Sequence, residues 1–375
     1  MSYGVVRLVV MRQEWHHFRF PGPEIAHPAI QGSSDDDTYG LDRWRSLPRA
    51  QTPPWPDQKV VDEVGDLLST VPPIVAPYEV DQLRERLAQV ADGKAFFLQG
   101  GDCAETFIDN TDTHILANAR TLLQMAIVLT YGASMPVVKV GRVAGQYTKP
   151  RSAALDALGL PAYRGDLVNS LVADPAARVA DPQRMVRAYA NASSAMNMLR
   201  AYLGGGMADL HAVHDWNKGF VRTSPAGQRY EAIAREIDRA LRFMQACGLT
   251  DDEALRSVTP YCSHEALALE YERPLVRISG DRPYGLSGHF LWIGERTRQI
   301  DGAHVDFLSR VANPIGVKLG PTTTPEQAIE LFEKLNRDSV DRRTIERDAR
   351  GAADMLHSQR SVFHRTPGLA RIWVR

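Results

Sequence analysis

Apolar positions fall into a helical rhythm from Pro77 onward, with Leu83, Leu87 and Val90 on one face, and Gly93 stops the run. KAFFLQGGDCAE then reads as a buried strand that runs into a glycine turn. The helical pattern returns at 113–130, where Ile115, Leu116, Ala119, Leu122, Leu123 and Ala126 recur, and PVVKVGR at 136–142 is a second strand followed by a polar, basic loop. Further helices are predicted near 182–203 and 228–247, the latter closed by Gly248, with strands at 208–214, 260–265, 289–295 and 315–321. Strands separated by helical stretches predict parallel βα units, because parallel neighbours need a crossover connection. Polar residues recur just after each strand, where a (β/α)8 barrel gathers its site, so the expected fold class is α/β of the TIM-barrel type. Six such strands can be counted, and the barrel is therefore expected to be incomplete, with about six βα units behind an N-terminal extension.

Residues 1–40 lack sustained periodicity and carry an acidic knot, Asp35–Asp36–Asp37, and WRSLPRAQTPPWPD follows with its crowd of prolines. This is read as an extended arm, with Trp55 either anchoring it to a surface or lying in a loose linker. Neither a signal peptide nor a membrane span is expected, because the apolar run near the start lacks a basic lead and no stretch of about 18 apolar residues occurs. A formal net charge of -1 gives no general pull toward nucleic acid, so any anion site must be a local cluster of cations. Three widely spaced cysteines argue against a disulfide framework and for a reducing compartment, the cytoplasm by default.

Four segments carry candidate chemistry. QGGDCAE at 99–105 offers Asp102, Cys103 and Glu105 on a turn; Cys103 is either a thiolate ligand for a divalent metal or an inert packing residue. KVGRVAGQYTKPRS at 139–152 sets Lys139, Arg142, Lys149 and Arg151 around a glycine-containing loop with Ser152, an arrangement for phosphate and carboxylate groups or a solvated basic loop. In WIGERTRQIDGAH, Glu295 stands beside Arg296 and Arg298, either as an ion-pair cluster or as a carboxylate orienting water while an arginine takes phosphate. In GVKLGP, Lys318 lies in an apolar strand, which is costly unless an anion meets it. HAVHDWN and CSHEA place His211, His214, Asp215, His264 and Glu265 at strand ends, where they either line the pocket or, the simpler reading, include satisfied structural histidines.

Taken in order, QGGDCAETF, MPVVKVGRVAGQYTKPRS, YRGD, AYANASSAMN, VHDWN, TSPAGQRYE, SHEALALEYE, WIGERTRQIDGAH and NPIGVKLGP resemble the motif series of class II, plant-like 3-deoxy-heptulosonate-7-phosphate (DAHP) synthases. The resemblance implies condensation of phosphoenolpyruvate with erythrose 4-phosphate to DAHP and phosphate, at the entry to aromatic biosynthesis. It implies that Arg142, Glu295, Arg296 and Lys318 hold phosphoenolpyruvate and that Arg151 and Ser152 face erythrose 4-phosphate. It gives catalytic roles to Lys149 and Glu295, and makes Cys103 a ligand of a divalent ion, manganese or cobalt. A homo-oligomer is expected, with no nucleic acid or membrane partner.

The resemblance covers 41–338. Beyond it, 339–375 holds eight arginines and no lysine, and lacks the family's later strands and its remaining metal ligands. His357 and His364 lie there without the family's motif around them, so the metal site is expected to be incomplete. The sequence reading expects a truncation or a reading-frame change, with a non-catalytic or regulatory homologue as the alternative to an active synthase.

Overall fold

A computed structural model describes residues 37–223, 225–248, 258–320 and 323–336. The expectations for most of the arm and for the arginine-rich tail fall outside the described residues. Five parallel strands form one sheet in the order β1-β2-β3-β6-β7: β1 Phe96–Gly101, β2 Val137–Arg142, β3 Tyr261–Glu265, β6 Phe290–Ile293 and β7 Ile315–Val317. Between β3 and β6, β4 Val276–Ser279 and β5 Arg282–Gly285 pair as an antiparallel hairpin. Its turn begins with Gly280 at φ 63°, a conformation that suits a tight two-residue connection. The sequence reading had no strand there.

The sheet is strongly curled. Phe97 on β1 and Phe290 on β6 lie three strand spacings apart, about 14 Å in a flat sheet, yet their ring centroids are 5.9 Å apart. Gln99 on β1 likewise reaches Ser263 on β3 across the intervening strand, at 2.9 Å. The concave face thus carries a buried apolar layer of Phe97, Val138, Val140, Tyr261, Phe290 and Trp292. Helix α2, Pro77–Ala91, adds Leu83 and Leu87 to this layer. The sheet is a curled parallel half-barrel in a mixed α/β fold.

Helices α1 Gln58–Thr70, α3 Asp112–Ala133 and α4 Gln183–Gly204 contribute to the largest apolar cluster. Trp55 packs against that cluster, so the proline-rich segment is anchored on its own chain. Trp44 is fully buried in a second cluster with Phe307 and Phe332. Among the described residues no helix is long and apolar enough to cross a membrane.

One strand assignment is corrected. The segment 208–214, read as a strand, enters helix α5, Leu210–Thr223, which is followed by α6, Pro225–Ala246. Asp209 accepts hydrogen bonds from the N–H groups of His211 and Ala212 at 2.9 and 3.2 Å, satisfying free donors at the helix start. Leu210, Val213 and Trp216 then pack at helical spacing. His211, His214 and Asp215 accordingly stand on a helix instead of at a strand end.

Candidate functional site

The carboxyl ends of the parallel strands bring the candidate cations together. Arg142 ends β2, Glu265 ends β3, Trp292 lies on β6 and Lys318 follows β7 directly. The Arg142 guanidinium carbon is 4.6 Å and the Lys318 Nζ 5.4 Å from the Trp292 ring centroid. Lys318 Nζ donates to Glu265 Oε2 at 2.7 Å, and Trp292 Nε1 donates to the same oxygen at 3.4 Å. Glu265 Oε1 and Arg142 Nε are buried without a hydrogen-bond partner among the described residues. Burial pushes the Arg142 pKa below its ordinary value, against the opposing pull of Cys103, Glu265, Glu105 and Asp102. A partly desolvated cation with an open donor suits an anionic ligand.

Lys318 was expected inside a strand, but it stands just beyond one, with a side chain 28% exposed. Its charge is met by Glu265, itself 2% exposed. Gly294 is what lets that carboxylate lie where it does, since a Cβ at this position would overlap Glu265 Oε1.

The loop after β2 is clamped from β1's side of the mouth. Glu105 accepts hydrogen bonds from the N–H groups of Ala144, Gly145 and Gln146 at 2.8, 2.9 and 2.6 Å. Burial raises the Glu105 pKa and these donors pull it down, with burial prevailing. The clamp holds Ala144 at φ 60°, a left-handed conformation that a residue with a Cβ seldom adopts. Gly145 lies against the His264 ring, where a Cβ would collide with Nδ1. His264 Nε2 pairs with Glu272 Oε1 at 2.9 Å, as a structural histidine would.

Farther along, Arg151 donates from Nε to the Tyr163 carbonyl, and its own N–H donates to Gln51 Oε1 at 2.7 Å. Arg151 and Ser152 line a cavity of ≈ 400 Å³ with Leu155, Tyr163 and Arg178. Arg296 Nη2 donates to Ser152 Oγ at 2.7 Å, so the segment after β6 meets the loop after β2. Lys149 and Glu295 form no side-chain hydrogen bond or ion pair that the described residues show. Glu295 is exposed and rests against Gly320, where a Cβ would overlap its carboxylate.

Cys103 is exposed, beyond the end of β1. Its carbonyl accepts from Arg142 Nη2 at 2.7 Å. The neighbouring Asp102 is engaged by His114 Nε2 and Asn118 Nδ2 at 2.7 and 2.8 Å, from one face of α3. Thr111 caps that helix by accepting from the His114 N–H, which fixes where the face begins. Among the described residues no group of three His, Cys, Asp or Glu side chains is placed to hold a metal ion. Cys103 is a lone donor in this set, and the described residues alone do not fit a divalent ion.

Two contributors stand out less in the sequence than in the fold. Glu265 is there only a weaker pocket candidate beside the histidines, although Tyr261, Ser263 and Glu265 alternate on β3 and place the acid at the strand's carboxyl end. The role of Glu105 as a loop clamp has no signature in the local sequence.

Residues 39–347 match the family model of the class-II DAHP synthetase family. The phospho-2-dehydro-3-deoxyheptonate aldolase of Mycolicibacterium smegmatis is 58% identical over 316 residues, covering 82% of this chain and 68% of its own length. That of Streptomyces coelicolor is 53% identical over 298 residues, 78% of this chain and 66% of its own. That of Neurospora crassa is 44% identical over 317 residues, 80% of this chain and 66% of its own. The chain thus spans about two thirds of the length of these curated relatives. A solved aldolase of the same name from Francisella tularensis covers 72% of this chain and 54% of its own, at TM-score 0.36 and 14% identity, a likeness too slight to bear on fold or site.

Proposed function

This chain belongs to the class-II DAHP synthetase family, and from that membership we propose that it acts as a phospho-2-dehydro-3-deoxyheptonate aldolase, a transferase. The reaction joins the methylene carbon of phosphoenolpyruvate to the aldehyde carbon of erythrose 4-phosphate. The aldehyde oxygen gains a proton, water adds to the adjacent carbon, and inorganic phosphate leaves. The observation that carries this reading is the convergence of Arg142 and Lys318 on the Trp292 ring, at the mouth of a curled parallel sheet.

Phosphoenolpyruvate presents a carboxylate and a phosphate, and Arg142, Lys318 and Arg296 supply cations of matching charge. Arg151 and Ser152 receive the phosphate of the second substrate, and their contact with Tyr163 and Arg296 keeps them oriented. Lys149 delivers the proton to the new hydroxyl, and Glu295 orients the attacking water. The family implies a divalent ion, manganese or cobalt, for which Cys103 would be one ligand and whose chemistry, when bound, would be that of a Lewis acid. The reading extends to a cytoplasmic homo-oligomer, and the three free cysteines fit a reducing compartment.

The test has two arms. Calorimetric titration with phosphoenolpyruvate should give saturable binding. A turnover assay, with manganese or cobalt and both substrates, should show loss of phosphoenolpyruvate absorbance. Binding without turnover in folded protein would instead support a non-catalytic homologue. Absence of binding would defeat the synthase reading.

A further inference from the structure

The backbone ladder between β2 and β3 is brief, with Val140 opposite Tyr261 and Gly141 opposite Cys262. Beyond it, side chains take over. Ser263 Oγ donates to the Gly141 carbonyl at 2.8 Å. Gln146 Oε1 accepts from the Glu265 N–H at 2.9 Å, and Thr148 Oγ1 donates to the Glu265 carbonyl at 3.4 Å. On the opposite side, β6 engages the next residue, with the Trp292 carbonyl accepting from the Ala266 N–H at 3.0 Å. The main chain of Glu265 on its β2 side is therefore left to the loop.

Gln146 is 1% exposed and has all of its polar groups in use. Its N–H donates to Glu105 Oε2 at 2.6 Å, and its carbonyl accepts from the Glu105 N–H at 2.8 Å. Its side-chain amide takes the Glu265 N–H at one end and donates to the Thr148 carbonyl at the other, at 3.0 Å. One residue thus ties β1's exit, through its main chain, to the loop after β2 and the end of β3, through its side chain.

We infer that Gln146 is a positioning residue for the anion cradle: it holds the end of β3 so that the Glu265 carboxylate meets Lys318. The consequence for phosphoenolpyruvate rests on the proposed function; the mechanical role does not. Loss of the side-chain amide leaves the Glu265 N–H buried and unpaired, and the strand end shifts to regain a partner. A small shift there displaces Lys318 from the ring of Trp292, and misplacement of such groups weakens binding steeply.

The experiment pairs two readouts on the full chain. In ligand-free wild type, hydrogen exchange should find the Glu265 amide as slow as those of the strand core, and Gln146→Met should release it while Tyr261 and Cys262 stay protected. Calorimetry with phosphoenolpyruvate should show Gln146→Met at least about 10-fold weaker than wild type, with Glu265→Gln/Gln146→Met no weaker than Glu265→Gln alone. Fast exchange at Glu265 in the wild type, or unchanged exchange in Gln146→Met, would overturn the inference, and so would fully additive losses in the double variant. If the wild type does not bind phosphoenolpyruvate, the proposed function fails and the exchange result alone decides the role of Gln146. The wild-type exchange measurement also stands if Gln146→Met does not fold.

Discussion

The two flanks of the half-barrel's mouth are built differently. On the side of β3, β6 and β7, Glu265 is enclosed, paired with Lys318 and crossed by the Trp292 N–H. On the side of β1, Cys103 is exposed, and Asp102 takes His114 from a side chain that is 41% exposed. The first flank is built from buried contacts between neighbouring strand ends, so on the proposed function folding and ligand binding would depend on shared residues. The second is a rim attached to a finished scaffold, where a change can alter chemistry without altering stability.

Lys318→Ala should separate the flanks most sharply. It strands the buried Glu265 carboxylate, and chemical denaturation should show a loss of about 3 kcal/mol, with phosphoenolpyruvate binding lost in the same protein. Arg142→Ala removes a cation from the Trp292 ring and the hydrogen bond to the Cys103 carbonyl; calorimetry should show phosphoenolpyruvate binding weaker by about 2 kcal/mol, or roughly 30-fold. An affinity unchanged by that substitution would remove Arg142 from the site.

On the rim the effects shrink. Hydrogen bonding to Asp102 raises the His114 pKa, so the pair stabilises the fold fully below the unfolded histidine value of about 6.5. That contribution is lost as pH rises through the raised folded value. Melting curves of wild type and His114→Ala should converge with rising pH, and solvent screening keeps their gap below about 1 kcal/mol. Cys103→Ser should change stability by less than about 0.5 kcal/mol, because the side chain is exposed, and leave metal-free phosphoenolpyruvate binding intact. A large stability loss there would merge the flanks.

Legibility in the sequence followed the same division. The strands at 136–142, 260–265, 289–295 and 315–321 announced themselves as short apolar runs ending in glycine or charge, and each contains a parallel strand of the sheet. The segment 208–214 failed because seven residues of loose alternation fit a strand or a helix, and the Asp209 cap decided for the helix. Arg142 was visible as a cation at a strand end, and Lys318 as a cation in an otherwise apolar strand, one position from where that strand in fact ends. Glu265 was only a weaker candidate, because an acid in a cationic cradle makes sense only once its partner, 53 positions away, is seen beside it. The Arg296–Ser152 contact spans 144 positions and has no local trace.

The Glu105 clamp bears on the time course of binding. A loop already fixed by three N–H groups, down to the left-handed Ala144, leaves no slow closure to follow the arrival of a ligand. Phosphoenolpyruvate should therefore associate in a single phase whose rate rises linearly with concentration, set by diffusion and charge attraction. Glu105→Gln would introduce a second, concentration-independent phase, as a freed segment finds its shape after the encounter.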